Sequence, residues 1–448
     1  MYTTVVGKTF LAEYNRIHQT SLSPKAFFDE ELFSIIYDHK RYLWWVQNSP
    51  FVQGISKTKP FFTTEEQMTN LDKVHLKVES GERDASIAIG YPASEVKEFA
   101  TTSGQVSDIS ITISEDEVYA SWIGGALSCG VAGGYALLFN DPNITYTIFE
   151  GWKVYRKYLN DEAIQNRLSP NKLSTWNGQW LRFRYSSDYQ SDYNFTTLSS
   201  LNVFSFKGAE AEINTIAWSR LYFSLSYTFP KKRLTAYVHA IGQTNKTVGF
   251  IPFQLTAGKR LAKVYKKLFG EDTYFQKADE IERLLGLHIK RACELGSIGL
   301  QALEPKKLRK YFGNSASLKF KSDSEDDPNL ISFYTYKTWL ITMLSKNKQE
   351  ISDYTTDIAK ALVKYREGAR KMDRKNLLEK KMFATKKKED FLEALIEIVK
   401  DPEVDTGIIE YIKDLRDKVH FMNREEFGYF ILLLKFDYSY QERQSTSS

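Results

Sequence analysis

The chain has 448 residues, 42% hydrophobic and 14% aromatic, with a net charge of +5. That is too long for one ordinary core and too apolar for a disordered protein, so two or three packed domains are expected. Its two cysteines, Cys129 and Cys293, exclude a disulfide framework or a paired-cysteine zinc site. The start, Met1-Tyr-Thr-Thr-Val, lacks the basic and apolar run of a signal peptide, and both points predict the cytoplasm.

Ser23-Pro24 sets a capping hydroxyl before a proline at the first turn. With Phe27, Phe28, Leu32, Ile35 and Ile36 at helical spacing, it predicts a helix to about Trp45, stopped before Ser49-Pro50. Thr63 and Glu66 form a capping box, opening a helix with the stripe Met68, Leu71, Val74 and Val78. Residues 118–139 contain no charge and are long enough to cross a bilayer. Five glycines dilute their hydropathy, and the acidic flanks Glu115, Asp116, Glu117 and Asp141 supply no basic residue to set a topology. A buried helix or strand pair is expected there, and no membrane association.

Residues 176–256 are rich in Tyr, Phe, Thr, Ser and Val, and predict short strands. The clearest hairpin pairs 234–241 with 247–251 across Gly242, Gln243, Thr244, Asn245 and Lys246. Helices are expected from about Gly258. Residues 313–329 are polar and acidic and read as a linker. Beyond them the stripes Ile358, Leu362, Tyr365, Ala369, Met372 and Ile408, Ile412, Leu415, Val419 predict helices. The last five residues read as a frayed tail. The fold class is therefore α+β: a mixed N-terminal body with antiparallel strands over 1–312, a linker over 313–329, and an all-α bundle over 330–448.

Catalytic motifs are missing. Gly125-Ala-Leu-Ser-Cys-Gly130 has the glycine spacing of a phosphate-binding loop, but Val131-Ala132 stand where Lys and Ser/Thr would hold phosphate and magnesium. No nucleophile elbow or His-Glu-x-x-His occurs, and the six histidines lack ligand spacing. No enzyme activity, cofactor or metal is expected.

What remains is binding chemistry. Residues 1–150 carry 11 basic against 19 acidic side chains, whereas residues 151–260 carry 15 against 6. Lys231, Lys232 and Arg233 lead into the hairpin, and Lys259, Arg260, Lys263, Lys266 and Lys267 follow it. Such cations neutralise phosphates, while Gln243, Thr244, Asn245 and Lys246 at the turn carry groups that read base edges. Gln47, Asn48 and Gln53 form a second candidate reader. Trp176-Asn-Gly-Gln-Trp-Leu-Arg-Phe-Arg-Tyr185 reads as an amphipathic strand exposing Arg182 and Arg184 to phosphates. Residues 360–388 hold 12 basic against 3 acidic residues. Arg370, Lys371, Arg374, Lys375, Lys386, Lys387 and Lys388 among them predict a face that binds a displaced strand without regard to sequence.

Ser23-Pro-Lys-Ala-Phe-Phe-Asp-Glu-Glu-Leu-Phe33, with Trp44-Trp-Val-Gln-Asn-Ser-Pro-Phe-Val-Gln-Gly54, resembles the opening of the large subunits of type I-B CRISPR Cascade surveillance complexes. A mixed body followed by a helical bundle similar to Cascade's small subunit is the order in that family. In some relatives the bundle is also made alone from an internal start, for which Met343 is placed. The zinc-binding Cys-x-x-Cys pairs of some relatives do not occur here.

The resemblance implies a non-catalytic subunit that recognises the motif beside the protospacer, helps unwind target double-stranded DNA and stabilises the R-loop. Its implied partners are CRISPR RNA, the backbone and guide-handle-binding subunits, the small subunit and a helicase–nuclease. Two other readings stay open: a generic nucleic-acid scaffold, and a nuclease whose carboxylates or histidines converge only in space.

Overall fold

The computed structural model describes residues 1–92, 112–164, 167–186, 189–270, 284–320, 327–344, 348–367 and 370–446, without the side chains of 243–245, 348, 349 and 446. The fold is α+β, with antiparallel sheets in the N-terminal part and helices alone toward the C-terminus. Its contacts divide it into two compact units, Met1–Leu255 and Thr256–Ser448. That division falls ahead of the acidic segment that the sequence suggests as a linker.

In the first unit, helix α1 (Tyr2–His18) crosses helix Glu115–Ala126, in which the uncharged stretch begins, at two glycines. A Cβ on Gly7 would overlap the carbonyl of Ala120, and one on Gly124 would overlap that of Thr3. Backbone meets backbone here, which only glycine permits. The uncharged stretch thus holds both expected forms, since strands β1 (Cys129–Val131) and β2 (Tyr135–Phe139) follow the helix. Ser114 caps that helix through a capping box with Glu117, and Thr63 does the same with Glu66 for Thr64–Glu79. Of the stripe predicted on Thr64–Glu79, Leu71, Val74 and Val78 are buried while Met68 is exposed.

Strands β3 (Phe204–Lys207) and β4 (Glu210–Ile213) pair with each other alone, while the four-stranded sheet runs β1-β2-β5-β6, all antiparallel, with β5 Leu234–Ala240 and β6 Gln243–Phe253. Strand β6 is one of its two edges. A helix formed by Pro24–Phe27, a π-helical turn Phe28–Phe33 and Ser34–Ile36 stops well before the expected Trp45. The cause is tertiary. Arg156, buried on helix Pro142–Asn160, donates Nε to the carbonyl of Ile35 at 2.7 Å and Nη2 to that of Ile36 at 3.3 Å. The last carbonyls are satisfied by a side chain instead of a further turn.

Residues 176–256 are not mainly strand. They include the helices Leu173–Arg184, Phe195–Ser200 and Trp218–Thr228. On the first, Trp176 and Trp180 sit one turn apart and stack at 5.8 Å inside the core. Gly178 lies against the carbonyl of Gly130, which fixes that helix close to β1.

The second unit opens with helix Leu255–Phe269. Its bundle comprises Pro328–Leu344, Lys348–Arg366, Lys371–Asn376 with a π-helical extension to Met382, Lys388–Val399, Thr406–His420 and Arg424–Thr446. Ile358, Leu362, Tyr365, Ile408, Ile412, Leu415 and Val419 all enter its core. Met372 is 69% exposed, because the helix ends at Arg366 and restarts at Lys371, which breaks the stripe; Ala369 lies outside the described residues.

The described part of the presumed linker is packed. Leu318 is buried, Phe320 meets Phe333 and Tyr440, and the Asn314 carbonyl accepts from Lys435 Nζ at 2.8 Å. The expected tail is helical to Thr446. Among the described residues, no helix is long and apolar enough to cross a membrane.

Candidate nucleic-acid interface

Strands β5 and β6 are joined by the two residues Ile241 and Gly242, with Gly242 at φ +75°. This turn is shorter than the five-residue one predicted. The next ladder partners are Ala240 with Gln243 and His239 with Thr247, so residues 244–246 have no partner across the pair. The extra residues form a bulge, a common device for re-aiming a strand. Lys246 is exposed on it; the side chains of Gln243, Thr244 and Asn245 lie outside the described residues.

At the base of β5, Lys231 and Arg233 are exposed, and among the described residues neither has a carboxylate in ion-pair range. Lys232 differs: its ammonium pairs with Asp141 and lies 4.9 Å from the Phe229 ring centroid. Asp141 also caps Pro142–Asn160, so Lys232 is committed to the fold.

Arg182 and Arg184 do not lie on an exposed strand. Both are on helix Leu173–Arg184, where Arg182 is 4% exposed. Arg184 pairs with Glu150 at 3.4 Å and stacks over Tyr189 at 4.2 Å. Neither is presented to a phosphate as predicted: a 3.6-residue period sets the two arginines about 200° apart, Arg182 inward and Arg184 against Glu150 and Tyr189, where a two-residue period would have put both on one outer face.

Gln47, Asn48 and Gln53 are exposed on a loop whose Phe51 and Val52 are buried, and Asn48 has φ +64°. The second candidate reader is thus held at the surface by an apolar anchor.

The second unit presents a cationic row on helix Leu255–Phe269. Lys259, Lys263 and Lys267 are exposed at successive four-residue steps, about 6 Å apart along the axis. Among the described residues none is ion-paired. Arg260 is also exposed, while Lys266 is partly covered. The opposite side of this helix packs Ala262 and Tyr265 against Ile331.

The basic stretch over 360–388 is mostly neutralised, contrary to the expected strand-binding face. Lys360 pairs with Asp357, Lys364 with Asp405, Lys371 with Glu367, Lys375 with Glu379 and Lys381 with Glu397. Arg366 is buried against Glu442 and Glu367. Arg374, 6% exposed, grips Asp401 at 2.8 and 3.1 Å and Glu403 at 2.9 Å, and Arg370 approaches Asp401 at 3.8 Å. The hydrogen bonds from Arg374 are the chief cause that pulls the Asp401 carboxyl down to about 2. Lys388 donates to the carbonyls of His420 and Met422, tying the chain after helix Thr406–His420. Only Lys386 and Lys387, of the seven residues expected to hold a strand, are exposed without such a commitment among the described residues.

Sequence reading missed two polar clusters, the first partly covered and the second buried. His75 joins Asp29 at 3.1 Å and Tyr119 at 2.7 Å, linking three separate helices. Lys435 is buried and donates to the carbonyls of Tyr311 and Asn314, and burial lowers its ammonium to about 8. Neither has a sequence signal, since the partners are far apart in the chain. Among the described residues, no group of three or more His, Cys, Asp or Glu side chains is placed to hold a metal ion. Compared with protein-family models, curated proteins and solved structures, the chain finds no match.

Proposed function

We propose that the chain is the non-catalytic large subunit of a cytoplasmic, CRISPR RNA-guided DNA surveillance complex. In this role it recognises the protospacer-adjacent motif, helps open the target duplex, stabilises the R-loop and recruits the helicase–nuclease. It would sit beside CRISPR RNA, the backbone and guide-handle-binding subunits and the small subunit.

The observation that carries the proposal is the pair of cationic surfaces that have no carboxylate partners among the described residues. One is the bulged hairpin with Lys231, Arg233 and Lys246, and the other is the lysine row on Leu255–Phe269. Cations already paired with carboxylates release few counterions on binding, so these two surfaces carry the electrostatic attraction for DNA. The resemblance of residues 23–33 and 44–54 to the opening of the family, and the order of an α+β unit before a mainly helical one, agree with it.

The test is to assemble the chain with its guide RNA and companion subunits and measure duplex binding across a randomised flanking motif. Asn245→Ala is expected to flatten motif preference more than overall affinity, a bidentate base contact discriminating by about 1–3 kcal/mol. Lys231→Ala is expected to lower affinity evenly. An assembly that binds targets equally well without this chain would overturn the proposal. Unchanged preference in Asn245→Ala and Gln243→Ala moves motif reading to Gln47, Asn48 and Gln53.

A further inference from the structure

A cleft of about 400 Å³ lies within the second unit, between the loop after Leu308–Tyr311 and the start of helix Arg424–Thr446. Its volume suits a ligand of nucleotide size. Two aromatic rings that are only partly covered line it, Phe312 and Tyr429, meeting edge to face at 6.2 Å and 71°. Ordinary core rings are closed over; here Phe312 offers a flat apolar surface at the wall of an open cleft.

The charges in the cleft are unequal in their freedom. Glu304 is held by Arg309 at 2.8–3.0 Å. Glu425 accepts from Tyr429 Oη at 2.8 Å and from Arg291 at 3.3 Å. Both carboxylates are therefore satisfied. Lys386 and Arg424 also line the cleft, and among the described residues neither has an ion-pair partner. The Lys386 stem lies on Gly313, where a Cβ would overlap it, so a glycine at φ +57° lets that stem lie along the cleft wall.

An aromatic surface beside two unspent cations is the chemistry that takes a base and its phosphate together. We infer that this cleft binds a nucleotide, its base stacked on Phe312 and its phosphate on Lys386 and Arg424. The binding role rests on the proposed function only for the source of the ligand. A single strand supplies such a nucleotide if the chain handles an R-loop, and a free mononucleotide supplies the same chemistry otherwise.

Gly428 provides the test. It lies within helix Arg424–Thr446, and a Cβ there comes only 3.4 Å from the Phe312 ring, so Gly428→Leu fills the cleft while favouring the helix. The full-length chain is titrated with a fluorescein-labelled single-stranded oligonucleotide and, separately, with AMP. Gly428→Leu and Phe312→Ala are expected to weaken binding of at least one probe about tenfold, with circular dichroism and melting of Gly428→Leu unchanged. Lys386→Ala with Arg424→Ala should weaken it to a similar degree and reduce its salt dependence. Loss with the oligonucleotide alone identifies a strand nucleotide, and loss with AMP identifies a free one. Binding of both probes unchanged by Gly428→Leu, or binding of neither by the parent chain, overturns the inference. The first outcome, with oligonucleotide binding intact, leaves the surveillance role standing. A failed assembly test alongside Gly428-sensitive binding would instead remove that role and leave the cleft.

Discussion

Lys337 donates to Asp437 Oδ1 at 2.6 Å in the interior of the helical unit, with side-chain exposures of 8% and 1%. Thr355 donates to the other oxygen at 2.7 Å. This cluster ties helices Pro328–Leu344, Lys348–Arg366 and Arg424–Thr446 together, and burial raises the Asp437 carboxyl above its ordinary range.

Removing one partner leaves a buried charge uncompensated. Lys337→Met is expected to destabilise the unit by about 3–5 kcal/mol, and Lys337→Met with Asp437→Leu to recover most of that. Urea unfolding followed by circular dichroism measures both. The native Asp437 keeps its proton to higher pH than the unfolded chain. Its contribution therefore favours the fold in acid and declines as pH rises from about 3.9 toward the raised native value.

The same pair decides where the chain can be cut. A product starting at Met343 lacks nearly all of Pro328–Leu344 and hence Lys337. The fragment 343–448, on sequence stripes alone an independent bundle, should melt far below the fragment 256–448. In the longer fragment Trp339 Nε1 also keeps its bonds to the carbonyls of Leu300 and Leu303. Equal melting temperatures would count against the pair's importance.

Asp401 behaves oppositely to Asp437. Its depressed carboxyl contributes stability that is present above the unfolded value of about 3.9 and is lost as pH falls through about 2. Asp401→Asn should remove that part of the acid dependence and lower stability at neutral pH. Acid titration of unfolding checks it.

Lys435 has its ammonium lowered to about 8 by burial, so the unfolded chain binds the extra proton between about 8 and about 10.4. Stability from this group rises with pH across that window. Lys435→Met should flatten the rise and free the carbonyls of Tyr311 and Asn314, which faster hydrogen exchange across the residue 311–316 loop would report.

Salt dependence separates the basic surfaces. Replacing Lys259, Lys263 and Lys267 together by Ala should reduce the slope of log affinity against log salt by about 0.9 for each lysine that contacts duplex phosphate. Replacing the ion-paired Lys371 and Lys381 should change it little. Equal effects would return the interface to residues 360–388.

Much of this protein is legible where a signal is local. The capping box at Thr63, the strands on either side of Gly242 and the apolar stripes around Leu362 and Leu415 depend on neighbours within a turn or a pairing, and the sequence by itself determined them. Even Trp176 and Trp180 stood at helical spacing, though aromatic content argued for strand. Tertiary structure alone decided the rest. Arg156 reaches across from a distant helix to end the chain's second helix at Ile36. Asp401 and Glu442 take up Arg374 and Arg366 from a stretch that in sequence looks like bare positive charge. Phe312 meets Tyr429 only after the 116 intervening positions are folded between them. A residue's charge is fixed by its type, but its availability depends on which opposite charges the fold brings within a few ångströms.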